Sequence, residues 1–356
     1  MEKVRKMRAG REPFTINGTQ IAAGERKSVD MRVAQLYTHT PLHIPVQVLH
    51  GRRDGPVLLV CAAIHGDEIN GVEIVRRLLA MPVLKRLRGT LIAVPIVNVF
   101  GFIQQTRYLP DRRDLNRCFP GNNTGSLGGR IAHLFKTEIL DKVTHVVDLH
   151  TGAIHRSNLP QIRACLDLPA TEQMARAFGA PVILNAPLRD GSLRSVAESS
   201  GTPVITYEAG EALRFDELSI QAGVRGVLSV MRELGMLPRV SRPEKAHQPL
   251  IAKNSNWVRA DLDGIVRPRV TLGSRVHKGD VLATIGDPLG DREAALISPY
   301  NGIVIGRLNL PLVNEGEALF HIARFQEIDQ AEKGVQQFTA DLLQELDPDR
   351  DSLILD

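Results

Sequence analysis

The chain has 356 residues, 43% of them hydrophobic and 24% charged, so it is long enough for two domains and apolar enough to bury a sizeable core. Aromatic residues make up only 4%, which argues against a protein that stacks nucleic-acid bases on aromatic side chains. The net charge of +4 is mild, and the lysines and arginines are spread along the chain. Composition therefore predicts no nucleic-acid partner, whereas a basic site for a carboxylate-bearing substrate would account for the surplus.

Three features bear on the compartment. The basic start, residues 1–11, is not followed by the apolar stretch that a secretory signal requires. The longest apolar run, residues 56–64, is far too short to span a bilayer. The cysteines Cys61, Cys118 and Cys165 stand far apart without a C-x-x-C spacing, which fits a reducing compartment and gives no thiolate metal site. We therefore expect a cytoplasmic protein that does not bind membranes.

The chain begins with short strand-like runs punctuated by Gly and Pro, which predict an N-terminal β segment over residues 1–50. Residues 57–62 (VLLVCA) then form a continuous apolar run, which is typical of a strand covered on both faces. Helix and strand patterns alternate from there: helix 69–80, strand 90–95, helix 130–140, strands 144–149, 182–184 and 204–207, and helix 216–235. This alternation predicts an α/β fold with a mostly parallel sheet flanked by helices, in a first domain of residues 1–237.

The texture of the sequence changes after this domain. Residues 238–255 are polar and rich in proline, which is typical of a linker. Residues 256–323 contain an internal repeat, because the DGIV at 263–266 recurs as NGIV at 301–304 and is followed in both copies by a Val-x-x-Gly turn. Two copies of one β unit predict a small C-terminal β-sandwich domain.

The repeat resembles the biotinyl/lipoyl carrier fold, in which a lysine stands at the hairpin between the two halves. The corresponding stretch here, residues 286–299, contains no lysine. We therefore expect a structural or site-capping domain rather than a carrier.

The last segment, residues 324–356, is acidic and predicted to be partly helical, and its apolar residues are spaced to share one helix face: Phe338, Leu342, Leu343 and Leu346.

Three residues that follow or end predicted strands form a candidate metal site. His65 and Glu68 stand three residues apart after a buried strand, and Gly66 keeps the backbone clear so that both side chains can reach one ion. His150 ends another buried strand. Two histidines and a glutamate are a catalytic zinc set that leaves a fourth position open for water. In open α/β sheets active sites lie beyond the carboxyl ends of strands, and both segments meet that requirement.

Two acidic residues belong to the same hypothesis. Glu208 ends a third predicted strand, where its carboxylate can take a proton from metal-bound water and pass it to the leaving amine. A metal lowers the pKa of bound water from about 15.7 to roughly 7, so the base needs only modest basicity. Asp148 precedes His150 by two residues, and it either accepts a hydrogen bond from that histidine and orients it toward the metal or is a structural hydrogen-bond acceptor. His155 is a weaker candidate for the border of the substrate site.

Residues 98–121 form a polar loop beside a strand end. Its side chains include four arginines and Asn116: Arg107, Arg112, Arg113 and Arg117. The planar guanidinium group of arginine suits a carboxylate.

Five motifs occur in order along the chain: HGDE at 65–68, RY at 107–108, DLNR at 114–117, DLH at 148–150 and YEAG at 207–210. Together they resemble the succinylglutamate desuccinylase/aspartoacylase family, an amidohydrolase branch of the zinc-carboxypeptidase-like enzymes. The resemblance covers roughly residues 41–235 and, more loosely, the C-terminal β domain.

The resemblance implies a role for each motif. The ligands of one zinc ion per chain would be His65, Glu68 and His150, and the general base would be Glu208. Asn116 and Arg117 would hold the α-carboxylate of the substrate, and Arg107 would polarise the scissile carbonyl. In this chain two extra residues separate the Arg-Tyr pair from the Asn-Arg pair, so Arg112 or Arg113 is an alternative for that role. No segment matches the residues by which the family recognises its acyl group, so the acyl group stays open.

The implied function is zinc-dependent hydrolysis of an amide bond in an N-acylated amino acid. A zinc carboxypeptidase that trims a C-terminal residue from a peptide is the alternative, because it uses the same metal, base and carboxylate-binding arginine. A non-catalytic metal-binding module is a third hypothesis, against which the combination of three ligands and Glu208 counts. The expected partner is an N-acyl amino acid or a short peptide, and the sequence leaves homo-oligomerisation open.

Overall fold

The computed structural model describes residues 11–239 and 249–346. Its strands, in chain order, are β1 (Phe14–Ile16), β2 (Thr19–Ile21), β3 (Arg26–Gln35), β4 (Pro41–His50), β5 (Arg53–Ala62), β6 (Arg88–Val94), β7 (His145–Gly152), β8 (Arg156–Ala164), β9 (Val182–Asn185), β10 (Val204–Glu211), β11 (Leu250–Ala252), β12 (Asn254–Arg259), β13 (Gly264–Pro268), β14 (Arg275–Val276), β15 (Val281–Gly286), β16 (Glu293–Ile297), β17 (Gly302–Leu308), β18 (Leu312–Val313) and β19 (Ala318–Arg324). Its helices are α1 (Asn70–Ala80), α2 (Val99–Gln104), α3 (Leu127–Glu138), α4 (Pro169–Phe178), α5 (Leu193–Ser199), α6 (Glu217–Glu233) and α7 (Ile328–Glu345). Short 3-10 helices cover Pro82–Arg86, Leu115–Arg117 and Leu140–Lys142.

The central sheet is mixed, so the prediction of a mostly parallel sheet is wrong in that respect. Strands β6, β5, β7 and β10 run parallel in its middle, whereas β4 pairs antiparallel with β6 and β8 pairs antiparallel with β10. The connection from β7 to β8 is only three residues long. A parallel return needs a crossover of a dozen or more residues, so β8 has to run the other way.

The predicted elements between residues 57 and 235 are all present, but β8, α2, α4 and α5 had not been predicted. Strand β8 lacks a continuous apolar run because Asn158, Gln161 and Arg163 interrupt it. Pro160 also lies inside it, at a point where the pairing with β10 shifts register. Proline is tolerated at such an irregularity because the ladder there does not need its missing N–H group.

Helices and strands cover both faces of the central sheet. The alternating residues of β5 show this directly, since Leu58 and Val60 belong to one hydrophobic cluster and Leu59 and Cys61 belong to the other. Helices α1, α4 and α6 pack on the first face, and α3, α5 and the N-terminal strands pack on the second. Burial on both faces explains the continuous apolar sequence of the central strands and fixes their positions relative to one another.

The C-terminal strands form two layers that share one core. Strands β16, β15, β13 and β18 make a separate four-stranded sheet, and β12, β19, β17 and β14 belong to the large sheet. Residues from both layers, such as Leu282 and Phe320, meet in a single hydrophobic cluster. Strand β17 also pairs with β8, with Gly306 opposite Asn158, so the C-terminal strands extend the sheet that carries the candidate site.

Part of the predicted linker is regular structure. Strand β11 pairs with β9, and β12 pairs with β19, so β-strands cover most of residues 250–259. Residues 240–248 of that segment lie outside the described residues, and the domain boundaries at 237, 256 and 323 stay a prediction.

Among the helices of the described chain, none combines the length and the apolar character that a bilayer crossing requires.

The predicted helix in the C-terminal segment is present as α7, but its buried face differs from the prediction. Phe338 and Leu342 are buried against the cluster that includes α6, whereas Leu343 points to solvent. The face continues toward the helix start through Val335 and Ala331, at helical spacing. Leu343 follows Leu342 directly, so both side chains cannot lie on the same narrow face. Residues 347–356 lie outside the described residues.

Replacing Leu342 by alanine is expected to destabilise the protein, and replacing Leu343 is not. The side chain of Leu342 is 0% exposed and that of Leu343 is 56% exposed. We expect Leu342→Ala to lower the free energy of unfolding by roughly 2–5 kcal/mol, because it leaves a cavity between α7 and α6. We expect Leu343→Ala to change it by less than about 0.5 kcal/mol. Urea unfolding followed by circular dichroism measures both, and equal losses would contradict this placement of α7.

Candidate metal centre

The turn after β5 places His65 and Glu68 close together. The backbone at Gly66 passes so near α2 that a Cβ at this position would lie 1.9 Å from the carbonyl carbon of Gly101. The amide of Glu68 donates to the carbonyl oxygen of His65 at 3.1 Å, which closes the turn just before α1 begins. Only glycine fits at position 66, so the tight turn that brings an imidazole and a carboxylate together depends on this residue.

The predicted ligands from separate segments meet at one point. The Oε1 atom of Glu68 lies 2.7 Å from His65 Nδ1, and its Oε2 atom lies 2.8 Å from His150 Nδ1. All three side chains are buried, and one ligand atom from each lies within 4.8 Å of the others. The structure therefore brings His150 to His65 and Glu68, which precede it by 85 and 82 residues, in a geometry that can hold a single metal ion.

Two aspartates lie beside the far nitrogens of the two imidazoles. Asp148 Oδ2 lies 2.9 Å from His150 Nε2, so of the roles left open for Asp148 the structure shows the contact with the histidine. Asp114 Oδ1 lies 3.3 Å from His65 Nε2. A carboxylate behind a ligand histidine fixes the tautomer and the orientation of the ring. Asp114 was not predicted, although it is the first residue of the DLNR motif and was available as a signal.

The charges in this cluster support one another. Burial opposes positive charge on His65 and His150, but the adjacent carboxylates outweigh it and raise the pKa of both imidazoles. Burial also opposes negative charge on Glu68 and Asp114. His65 and His150 nevertheless lower the pKa of Glu68, and His65 and Arg107 lower the pKa of Asp114, in both cases well below the usual range. The cluster therefore favours cations between its carboxylates, and a divalent ion can replace the protons on the imidazoles.

Among the three candidate arginines, Arg107 is the one at the centre. Its Nη1 atom lies 3.2 Å from Glu68 Oε1, and its Nη2 atom lies 2.9 Å from Asp114 Oδ2. Arg112 and Arg113 are both exposed, and Arg113 pairs with Asp111 at 3.6 Å. The loop therefore exposes Arg112 and Arg113 to solvent and leaves Arg107 beside the metal ligands.

Asn116 and Arg117 lie in the 3-10 turn that follows Asp114. The backbone N–H of Asn116 donates to Asp114 Oδ1 at 2.8 Å, and its side-chain Oδ1 accepts from the backbone N–H of Leu193 at 2.9 Å. Arg117 is exposed, and its Nη1 atom donates to the carbonyl oxygen of Asn116. The turn thus joins the metal centre to the start of α5. The guanidinium of Arg117 is accessible to solvent.

Glu208 lies on β10, opposite His150 of β7 in the parallel register. Its carboxylate is held by two side chains of β8, since Asn158 Nδ2 donates to Oε2 at 2.8 Å and Arg163 Nε lies 2.9 Å from Oε1. These two residues were missed because β8 was not recognised as a strand. The polar positions on that strand were the available signal, since polar residues inside a buried sheet need partners.

The C-terminal strands reach the edge of the centre. Asn309 Nδ2 donates to Ser157 Oγ at 2.6 Å and to Glu211 Oε2 at 2.8 Å, and its backbone N–H donates to the carbonyl oxygen of His155 at 2.7 Å. His155 itself is half-buried, and its backbone N–H donates to Glu211 Oε1. The loop between β17 and β18 therefore lies against the loops that follow β7 and β10.

Comparison with known proteins identifies the class of fold and site. A sequence model of the succinylglutamate desuccinylase/aspartoacylase catalytic domain matches residues 54–234. These residues include all of the segments that form the metal centre. The chain therefore belongs to the succinylglutamate desuccinylase/aspartoacylase family.

Individual relatives agree with this assignment. The N-alpha-acetyl-L-2,4-diaminobutyric acid deacetylase of Halomonas elongata is 27% identical over 296 residues, which cover 80% of this chain and 86% of the relative. An aspartoacylase family protein from Mesorhizobium loti has 25% identity and a TM-score of 0.74, covering 89% of this chain and 99% of its own. The product-bound ectoine utilization protein EutE (DoeB) from Ruegeria pomeroyi shares the fold, with 23% identity, a TM-score of 0.76, and coverage of 90% and 98%.

We expect Gly66→Ala to take up far less added zinc than the wild-type sequence, because the added Cβ forces the turn that carries His65 and Glu68 away from α2. Gly129→Ala is the matched control, since a Cβ there would lie 3.4 Å from its nearest neighbour, Ser126 Oγ, within α3. Alanine favours the helix by about 1 kcal/mol at that position. Zinc per chain, measured by inductively coupled plasma mass spectrometry, decides the matter. Full zinc loading of Gly66→Ala would contradict the role assigned to the turn.

Glu198 makes stability depend on pH. This residue of α5 is buried, and neither of its carboxylate oxygens has a hydrogen-bond partner in the described part of the chain. Burial raises the pKa of its carboxyl group from 4.5 to about 7, although Arg194 acts in the opposite direction. Folding thus favours the protonated form, so the stabilisation is complete below pH 4.5 and is lost as the pH rises through 7.

Glu198→Gln is expected to be more stable than the wild type at pH 8 and similar to it at pH 5. The amide keeps the shape of the side chain and cannot ionise, and the gain at pH 8 is expected to reach up to about 3 kcal/mol. Urea denaturation at the two pH values measures the difference, with the exposed Glu315→Gln as the control. A gain of the same size at both pH values would show that the ionisation of Glu198 is not its cause.

Proposed function

We propose that this protein is a zinc-dependent amidohydrolase that removes an acyl group from an N-acylated amino acid. The observation that carries the proposal is the convergence of His65, Glu68 and His150 at the carboxyl ends of β5 and β7, one strand away from Glu208 on β10. Two histidines and one glutamate bind zinc and leave room for water and substrate. The membership in a family of desuccinylases and aspartoacylases supports the reaction class.

The residues of the centre fit one zinc ion. Their donor set consists of two imidazole nitrogens and a carboxylate, with Asp114 and Asp148 behind the histidines, and this is the usual environment of a catalytic zinc. When bound, zinc would polarise the scissile carbonyl and lower the pKa of a water molecule. The metal identity rests on this donor chemistry, since nitrogen and carboxylate ligands suit zinc better than magnesium or calcium.

Glu208 is proposed as the general base. Its carboxylate would accept a proton from the attacking water and donate it to the departing amine. Asn158 and Arg163 each hold one oxygen of this carboxylate, so they restrict its rotation and direct it along the β10 edge of the centre. A fixed base keeps reacting atoms in position without further loss of entropy during the reaction.

Three other side chains are proposed to bind the substrate. Arg107, next to Glu68, would stabilise negative charge on the carbonyl oxygen, a type of interaction whose removal typically costs about 3–4 kcal/mol in the transition state. Asn116 and Arg117 would hold the α-carboxylate, for which the arginine fork is well shaped. Arg112 is exposed and lies away from the metal ligands, so we propose at most a role at the entrance for it.

The alternative is a carboxypeptidase, and one observation favours the deacylase. The loop at Asn309 contacts Ser157 and Glu211 at the edge of the centre, where a long peptide would have to pass. The Halomonas elongata relative is a deacetylase of an N-acetylated amino acid. Parallel assays of N-acetyl, N-succinyl and N-formyl amino acids and of short peptides distinguish the two activities, and release of C-terminal residues alone would favour the carboxypeptidase.

The three cysteines are all free, and we propose a cytoplasmic location on that basis.

Glu208→Gln and His150→Ala are expected to fail for different reasons. Glu208→Gln should keep one zinc per chain and lose about 10²–10⁴-fold in kcat, because the amide cannot accept the proton. His150→Ala should lose the zinc as well as the activity, since it removes a ligand. Zinc content and hydrolysis of the best N-acyl amino acid are measured on the same preparations. Wild-type turnover in Glu208→Gln would remove this residue from the mechanism.

A further inference from the structure

A groove with a volume of about 1090 Å³ lies at the end of the sheet opposite the metal centre. It is lined by the starts of β5 and β6 and by the ends of α1 and α6. Strand β5 begins at Arg53 in the groove and ends at Ala62, just before the metal ligand His65. Ten residues of extended chain span about 30 Å, so the groove is remote from the catalytic site.

The groove is strongly basic. Eight cationic and two acidic side chains line it, an excess of six positive charges. The whole chain has a net charge of +4, so the remainder of the molecule is slightly acidic. The cations come from four separate segments of the sequence, and the fold gathers them on one surface: six of them are Arg52, Arg53, Lys85, Arg86, Arg88 and Arg232.

Among the residues that the structure describes, these cations have no acidic partners. Within residues 11–239 and 249–346, none of the eight takes part in an ion pair. Both acidic side chains are engaged elsewhere, since Glu25 accepts from the backbone N–H of Ala22 at 2.7 Å and Glu233 accepts from Gln173 at 2.6 Å. The Nε atom of Arg232 is buried and has no hydrogen-bond partner among the described residues. A buried donor of this kind is destabilising unless something binds to it.

The ends of helices account for only part of this charge. Helix α1, the 3-10 helix at Pro82–Arg86 and α6 all end at the groove, and basic residues commonly stabilise helix ends. Each helix end carries about half a negative charge, so three of them offset about a quarter of the excess. Like charges gathered without partners repel one another and destabilise the fold, and a bound polyanion would relieve that repulsion.

We propose that this groove binds a small molecule that carries a chain of two or more phosphate groups. Several guanidinium groups can donate to the oxygens of such a chain at once, and its charge matches the excess in the groove. The floor beneath the cations is apolar and includes Leu49, Leu84 and Leu237. An apolar floor beside arginines fits the ring of a nucleotide, and inorganic polyphosphate has the same phosphate chemistry. The proposal does not depend on the catalytic function.

Isothermal titration calorimetry on the full-length, zinc-loaded protein tests the proposal with ATP, tripolyphosphate, adenosine and citrate. We expect ATP and tripolyphosphate to bind, with an affinity that falls as salt is raised from 50 to 200 mM. We expect adenosine and citrate to bind at least about tenfold more weakly, because one lacks phosphates and the other lacks their geometry. Tighter binding of ATP than of tripolyphosphate would identify the nucleotide as the source, and the reverse would identify polyphosphate.

Matched charge variants locate the binding. The triple variant Arg52→Gln, Arg86→Gln, Arg232→Gln is expected to weaken ATP and tripolyphosphate binding at least about tenfold. The control triple variant Arg267→Gln, Arg269→Gln, Arg292→Gln removes the same charge from exposed positions of the C-terminal strands and should stay within about twofold of wild type. If the groove triple variant does not fold, the exposed single variant Arg86→Gln serves, with about threefold weakening expected.

Four results would overturn the proposal. They are the lack of ATP and tripolyphosphate binding at about 1 mM in the wild type, equal losses in the two triple variants, citrate binding as tight as that of tripolyphosphate, and much tighter binding of a 20-nucleotide single strand than of either phosphate compound. The last result would make the groove a nucleic-acid surface, whose affinity depends on many backbone phosphates.

Discussion

The carboxylate of Glu68 is shared by two imidazoles and joins the separate chain segments that form the metal centre. Each of its oxygens faces a different imidazole, His65 on one side and His150 on the other. A buried arrangement of this kind is stable only when every charge has a partner, since unpaired buried charges are very costly. The aspartates behind the imidazoles and the guanidinium of Arg107 complete the set. The same balance of charge makes the site suitable for a divalent cation.

The sheet provides the precision that this arrangement needs. Strands β5, β7 and β10 are adjacent and parallel, so their carboxyl ends deliver His65, His150 and Glu208 to one edge. Their burial on both faces holds them rigidly in register. Strand β8 adds Asn158 and Arg163 from the next position and continues into the C-terminal strands through β17. The C-terminal strands thereby belong to the scaffold of the centre as well as to its edge.

The sequence predicted the centre better than its surroundings, for physical reasons. Strands buried on both faces leave continuous apolar runs, and the polar residues after them, from His65 to Glu208, stand out. Strand β8 leaves no such run because it carries the polar side chains that hold Glu208, so both the strand and those contacts were missed. The mixed direction of the sheet follows from the lengths of its loops. The exposure of Leu343 follows from the packing of α7, because helical spacing alone does not show which of two neighbouring leucines is buried. The basic groove was invisible because its cations are far apart in the chain.

Anomalous diffraction at the zinc absorption edge, from crystals of the purified protein, shows where zinc binds. We expect a single strong peak per chain, within coordination distance of the Nδ1 atoms of His65 and His150 and the carboxylate of Glu68. A crystal grown with zinc that shows these two imidazoles turned away from each other, or a peak only at other residues, would contradict this expectation.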